Sequence, residues 1–189
     1  MNEFDLCNLQ HIKEAYNQDG YVIVRNVLDT ELVKEIDQHI DWLIKRHPDL
    51  RPERLGHWLV AKDPFWFRFV SDPNLLKVAT SLIGSNIAFF AADYIAKPPK
   101  YGQAVAWHQD VNYWGLEPMD VITIWFAVTS STIKNGCVNV IPGTQKLGLL
   151  PHRPKTDTIN LLNSEVDPSM VDEGKSISIE LRAGDISVH

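Results

Sequence analysis

The chain has 189 residues, with 18 Lys+Arg against 24 Asp+Glu, a formal charge of −6 and 44% hydrophobic residues. That is enough apolar sequence for one domain with a single core, and too much for a disordered segment. The acidic balance, with no Lys/Arg cluster to offset it, excludes a nucleic-acid footprint, and no apolar run approaches the 18 or so residues of a membrane span.

In chain order, the start Met1-Asn2-Glu3-Phe4-Asp5 is acidic, unlike the basic start of a signal peptide. A short helix is expected over residues 11–17, ended by Gly20, followed by the β-branched run Tyr21-Val22-Ile23-Val24. From residue 30 to 46, Leu32, Val33, Ile36, Ile40, Leu43 and Ile44 recur at helical spacing, with Asp29 or Thr30 as cap and Pro48 as stop. A further helix opens at Asp72-Pro73 and ends at Gly84. The period then changes from 3.6 to 2. Strands are expected over 87–95, 121–129, 138–141 and 177–181, separated by turns such as Lys134-Asn135-Gly136 and Ala183-Gly184-Asp185. Helices first and strands after predict a mainly β barrel with helices outside. Residues 145–175 show weak periodicity and are expected to form a lid or mobile segment. The last four residues, Ile186-Ser187-Val188-His189, begin a strand with no turn after it. An open sheet edge is expected there, as in a fragment of a longer protein. Two cysteines, Cys7 and Cys137, make no disulfide framework, so free thiols in a reducing, cytoplasmic setting are expected.

Three His-x-Asp triplets stand out. A chain with 7 His and 15 Asp yields about half of one by chance. His39 and Asp41 fall in a helix, where residues two apart diverge by about 200°. His47 and Asp49 straddle the end of that helix at Pro48 and read as solvated capping groups. His108 and Asp110 lie among the strands, where residues two apart share a face. Trp107 and Trp114 flank them as an apolar surround that limits water access. Two His and one carboxylate form the facial triad of iron(II) oxygenases. Spacing alone leaves a metal pair and two satisfied polar side chains equally open.

The order of motifs says more. Ala96-Lys97-Pro98-Pro99 precedes Trp107-His108-Gln109-Asp110-Val111-Asn112-Tyr113-Trp114. Thr123-Ile124-Trp125-Phe126-Ala127, Asn135-Gly136-Cys137, Ile141-Pro142-Gly143-Thr144-Gln145 and Ala183-Gly184-Asp185 follow. The series resembles the phytanoyl-CoA dioxygenase family of Fe(II)/2-oxoglutarate-dependent oxygenases, including its ectoine hydroxylase branch, from about Gly20 onward. The resemblance implies a double-stranded β-helix, a jelly-roll or cupin-like barrel with iron at its mouth. It implies His108 and Asp110 as iron ligands and Lys97 and Trp125 as contacts of 2-oxoglutarate, where the residues alone also allow a surface lysine and a core tryptophan. Asn112, Tyr113 and Trp114 follow the motif and are expected to face a small-molecule substrate or to take part in plain aromatic packing, and Trp114 matches an aromatic of the ectoine hydroxylase branch. The resemblance also implies dioxygen as co-substrate and hydroxylation of an aliphatic C–H, with 2-oxoglutarate leaving as succinate and CO2. A carboxylate at Asp110, where similar halogenases have a small residue, favours hydroxylation. His152 matches a recurring family histidine, although a solvated loop histidine is the plainer reading, and His57 has a weaker claim on the pocket.

Two departures accompany the resemblance. Thr144-Gln145 stands where the family has Ser-His, a tolerable change in a turn. The family's third ligand, a His in an HGS-like context, and its co-substrate arginine fall beyond the Gly-Asp motif by more than the residues present. The third ligand is therefore either a residue past His189 or His189 itself. Residues 1–189 are expected to form a single oxygenase domain, C-terminally incomplete and inactive by itself. The rival reading is a small-ligand-binding or degenerate cupin-like barrel without catalysis.

Overall fold

Apolar spacing and caps explain the first half of the molecule. The computed structural model describes residues 2–56, 62–156 and 160–189. Helix α1 (Leu9–Asp19) ends on Gly20, whose left-handed φ of 76° lets its N–H reach the Tyr16 carbonyl. Helix α2 (Thr30–Arg46) is capped by the Asp29 carboxylate, which accepts from the Leu32 N–H at 2.8 Å. Lys45 and Arg46 complement the dipole in its last turn, and His47 closes it. Two further helices are α3 (Phe65–Val70) and α4 (Pro73–Ile83). Asp72 caps α4 with bonds from the Asn74 and Leu75 N–H groups.

Strands β1 (Glu3–Asp5), β2 (Val22–Arg25), β3 (Ile124–Phe126) and β8 (Ile186–Val188) form one sheet in the order β1-β2-β8-β3. β1 runs parallel to β2, while β8 is antiparallel to both β2 and β3. β4 (Val138–Val140) pairs with β7 (Ile177–Ile179), and β5 (His152–Pro154) with β6 (Ser164–Val166).

Strand alternation sends side chains to two layers. Val22, Val24, Ile186 and Val188 pack with Ile12, Ile36, Ile40, Trp66 and Val78 of the helices. On the opposite face Tyr21 and Ile23 join Ala127, Ile179 and Leu181, with Trp125, Val138, Val140 and Ile177 against them. The sheet is thus covered by helices on one side and by the β4–β7 ladder on the other. That arrangement explains why the run over residues 21–24 is buried without a polar face.

Four expectations are corrected. Residues 186–188 are not an edge: β8 pairs on both sides, and Ile186, Ser187 and Val188 are fully buried. Residues 87–95 form no strand, and an inward alternation survives only over 91–95, with Ala92 and Tyr94 on the core. Period two reports a buried face and not a ladder partner. The described residues of 145–175 carry β5, β6 and three 3₁₀ turns and are hydrogen-bonded as a strap. His57 lies outside the described residues. The fourth correction concerns the His108 segment.

Candidate functional site

His108 and Asp110 do not sit on strands. Gln109 is extended, with φ −117° and ψ 126°, and Asp110–Tyr113 form a 3₁₀ turn. One extended residue between them suffices to bring both side chains to one side. His108 Nε2 is 3.1 Å from Asp110 Oδ1, and His108 Nδ1 is 2.8 Å from the Ala106 carbonyl. His39 and Asp41 diverge on α2 as expected, and the His39 ring pairs instead with Asp63 and stacks on Phe65.

Asp110 is gripped from the sheet as well. Thr123 Oγ1 donates to Asp110 Oδ2 at 2.6 Å, and His189 Nε2 lies 3.5 Å from the same oxygen. Thr123 and His189 exchange both backbone hydrogen bonds, at 2.8 and 3.0 Å. They extend the β3–β8 register by one pair, and period two turns them to the face of Ser187 and Trp125. The site therefore opens on the inner face of the sheet, away from the helices.

The strap holds the motif from the other side. The Gln109 amide donates to the Gly148 carbonyl and accepts from the Leu150 N–H. The Val166 N–H donates to the Trp107 carbonyl, and the Trp107 indole to Glu173. Asn112 and Tyr113 both reach Ser164, and Trp114 lies against the Phe90 ring. His152 opens β5, half-buried, 3.4 Å from the Gln109 N–H. It is thus no solvated loop histidine. Trp125 packs in the inner layer. Lys97 donates from its ammonium to the Gly136 carbonyl. No contact joins Lys97 to His108 or Asp110 among the described residues.

Proton affinities follow this geometry. Burial disfavours the charged His108 ring, but the Asp110 carboxylate and the Ala106 carbonyl outweigh it and raise the His108 pKa. Burial likewise disfavours ionised Asp110, yet the bonds from His108 and Thr123 and the nearby His189 ring hold its carboxyl far below the usual range.

A divalent ion takes histidine nitrogen and carboxylate oxygen at roughly 2.0–2.2 Å, so two donors at a right angle stand about 3 Å apart. The His108–Asp110 spacing of 3.1 Å fits such a chelate. The Ala106 carbonyl also takes the Nδ1 proton, the arrangement that leaves Nε2 to a metal. Among the described residues no group of three His, Cys, Asp or Glu side chains is arranged to hold a metal ion. His189 therefore shares Asp110 with the pair without completing a three-ligand set. An ion at Nε2 must displace the proton that Asp110 stabilises there. Metal affinity should fall about tenfold per pH unit once pH drops below the raised His108 pKa. Metal titrations over a pH series check this, and a flat profile would remove His108 from the ligand set.

A family model described as phytanoyl-CoA dioxygenase (PhyH) matches residues 16–189. Among curated relatives, "Phytanoyl-CoA dioxygenase" of Arabidopsis thaliana is 28% identical over 194 residues, covering 100% of this chain and 68% of its own length. "Phytanoyl-CoA dioxygenase, peroxisomal" of Homo sapiens is 36% identical over 165 residues, covering 74% of this chain and 48% of its own. The chain spans about half to two thirds of the curated relatives it matches. Among solved structures, EctD from S. alaskensis with 2-oxoglutarate and 5-hydroxyectoine superposes with a TM-score of 0.72 at 17% identity. That match covers 93% of this chain and 65% of EctD. It establishes the jelly-roll fold with flanking helices. No helix among the described residues is long and apolar enough to cross a membrane.

Proposed function

Because the chain belongs to the phytanoyl-CoA dioxygenase (PhyH) family, we propose that it serves an Fe(II)/2-oxoglutarate-dependent oxygenase. The reaction is hydroxylation of an aliphatic C–H of a small molecule by dioxygen, with 2-oxoglutarate leaving as succinate and CO2. The observation that carries this reading is the 3.1 Å approach of His108 Nε2 to Asp110 Oδ1 on the inner face of the sheet. Iron, when bound, supplies the coupling of dioxygen to 2-oxoglutarate decarboxylation.

The chain's own residues bind and orient. His108 gives a nitrogen whose ring orientation the Ala106 carbonyl fixes, and Asp110 gives one carboxylate oxygen. Trp125 packs beside the co-substrate, and Asn112, Tyr113 and Trp114 face the small-molecule substrate. Lys97 offers its ammonium to the far carboxylate of 2-oxoglutarate, leaving the Gly136 carbonyl to do so. Residues 1–189 form one domain of this enzyme, acting in a reducing, cytoplasmic setting that suits the free thiols of Cys7 and Cys137.

A second reading, a ligand-binding barrel without redox chemistry, is favoured by the lack of a three-donor group among the described residues. Succinate formation from 2-oxoglutarate by the full-length protein under oxygen, with and without ferrous iron, separates the two. Iron-dependent succinate supports the oxygenase, and none supports the binding barrel. In the active protein, Lys97→Ala should raise the 2-oxoglutarate concentration needed for half-maximal rate with little loss of maximal rate, because the lysine positions co-substrate only. An unchanged requirement would remove Lys97 from the co-substrate site.

A further inference from the structure

We propose that Thr123 is the positioning residue of the metal centre, holding Asp110 so that a single carboxylate oxygen is presented toward His108. The inference rests on the metal-centre reading above and assigns a role to a side chain that the His-x-Asp motif does not include.

Asp110 begins a 3₁₀ turn and not a strand, so no ladder fixes where its carboxylate points. The terminal torsion of an aspartate is broad, and either oxygen can turn toward a neighbour. Thr123 removes that freedom. Its backbone is locked to His189 by the reciprocal bonds at 2.8 and 3.0 Å. Its β-branched side chain is stiff at the first torsion, so the hydroxyl arrives at a defined point. The 2.6 Å bond from Oγ1 to Oδ2 is in the range of a hydroxyl donating to a charged carboxylate. A hydroxyl has one proton to give, and here it is given to Oδ2.

With Oδ2 occupied, Oδ1 is the oxygen left facing His108 Nε2. His189 does not duplicate this function, since its Nε2 stands 3.5 Å from Oδ2, beyond a good hydrogen bond. Without the Thr123 hydroxyl the carboxylate can rotate toward His189 or offer both oxygens to one ion. Either change alters both affinity and coordination geometry.

The test uses Co(II) as a probe and needs no turnover. Metal-free full chain is titrated with Co(II) while the visible spectrum, which reports coordination geometry, is recorded. Thr123→Val keeps the shape and deletes the hydroxyl. It should weaken Co(II) binding about 10- to 100-fold, the usual cost of losing a partner of a metal ligand, and shift the spectrum. Thr123→Ser should restore both. If Thr123→Val does not fold, Thr123→Ala gives the same comparison against Ser. Wild-type affinity and spectrum in the hydroxyl-free variant would overturn the proposal alone. A serine variant as weak as the valine one would also overturn it. A wild-type protein that takes up no Co(II) would overturn the metal-centre reading and this inference with it.

Discussion

Asp185→Ala should lower the unfolding free energy by about 3 kcal/mol, the cost of deleting a buried carboxylate with its charge-assisted bond and two backbone bonds. Asp185 is 1% exposed. Its carboxylate accepts from Arg25 Nη1 at 2.7 Å, from the Asn26 N–H at 2.9 Å and from the Arg182 N–H at 2.9 Å. Arg25 retains Glu3 as a second partner, which offsets part of the loss. The two backbone donors, on the exposed residues Asn26 and Arg182, lose bonds worth roughly 0.5–1.5 kcal/mol each. The same carboxylate ties β2 to the turn that launches β8, so the loss falls on the central strand pair. A urea melt of the variant measures it. A change below about 1 kcal/mol would show that water or Arg25 alone can replace these bonds.

Gly184 supports the same junction. Its carbonyl accepts from both Val27 and Leu28, and its φ of +89° is left-handed. An added Cβ would stand 3.0 Å from the Leu28 carbonyl oxygen. The Gly-Asp motif is therefore structural in this molecule: the glycine admits the turn and the aspartate fastens it. Its contribution to the site is indirect, through the register that brings His189 opposite Thr123.

His108→Ala should cost more than 100-fold in metal affinity, which is more than about 2.8 kcal/mol at 1.4 kcal/mol per decade. Changes to partners of a ligand already cost about 10- to 100-fold, and this variant removes a ligand outright. In the full-length protein, iron-dependent succinate formation should disappear with it. Stability should change less than affinity, because the His108 side chain is only partly buried and sits in a loop. Succinate release at the wild-type rate in this variant would place the chemistry elsewhere.

Much of the helical half was legible because each signal there is redundant. α2 and α4 carry apolar periodicity, a carboxylate cap and a stop together, and both run between the boundaries those signals mark. The six-residue α3, Phe-Trp-Phe-Arg-Phe-Val, offers no polar face to give it a period, and it escaped notice. β1 (Glu-Phe-Asp), β5 (His-Arg-Pro) and β6 (Ser-Glu-Val) lie in mostly polar stretches with too few apolar side chains for an alternation to be seen. The strap over 145–175 reads as a loop because its polar side chains are used on the motif: Glu173 on Trp107, and Ser164 on Asn112 and Tyr113.

At the site, the pairing of His108 with Asp110 was legible from spacing, although the reason differed. One extended residue and a 3₁₀ turn do what a strand was expected to do. Thr123 was missed as a partner of Asp110. The signal was present, since Thr123 is two residues before Trp125 and so shares its face, but only the register with β8 shows what that face meets. The terminal strand misled for a related reason. Residues 186–188 are an edge only if strands pair in sequence order, and here β8 enters between β2 and β3.

Anaerobic Fe(II) binding, measured on the wild-type chain and on Asp110→Ala, tests the metal centre most directly. It asks for the ligand pair and not for turnover. One ion per chain in the wild type, released as pH falls through the raised His108 pKa and lost in Asp110→Ala, is the expected result. Equal Fe(II) uptake by both proteins would contradict the assignment of His108 and Asp110 as the iron-binding pair.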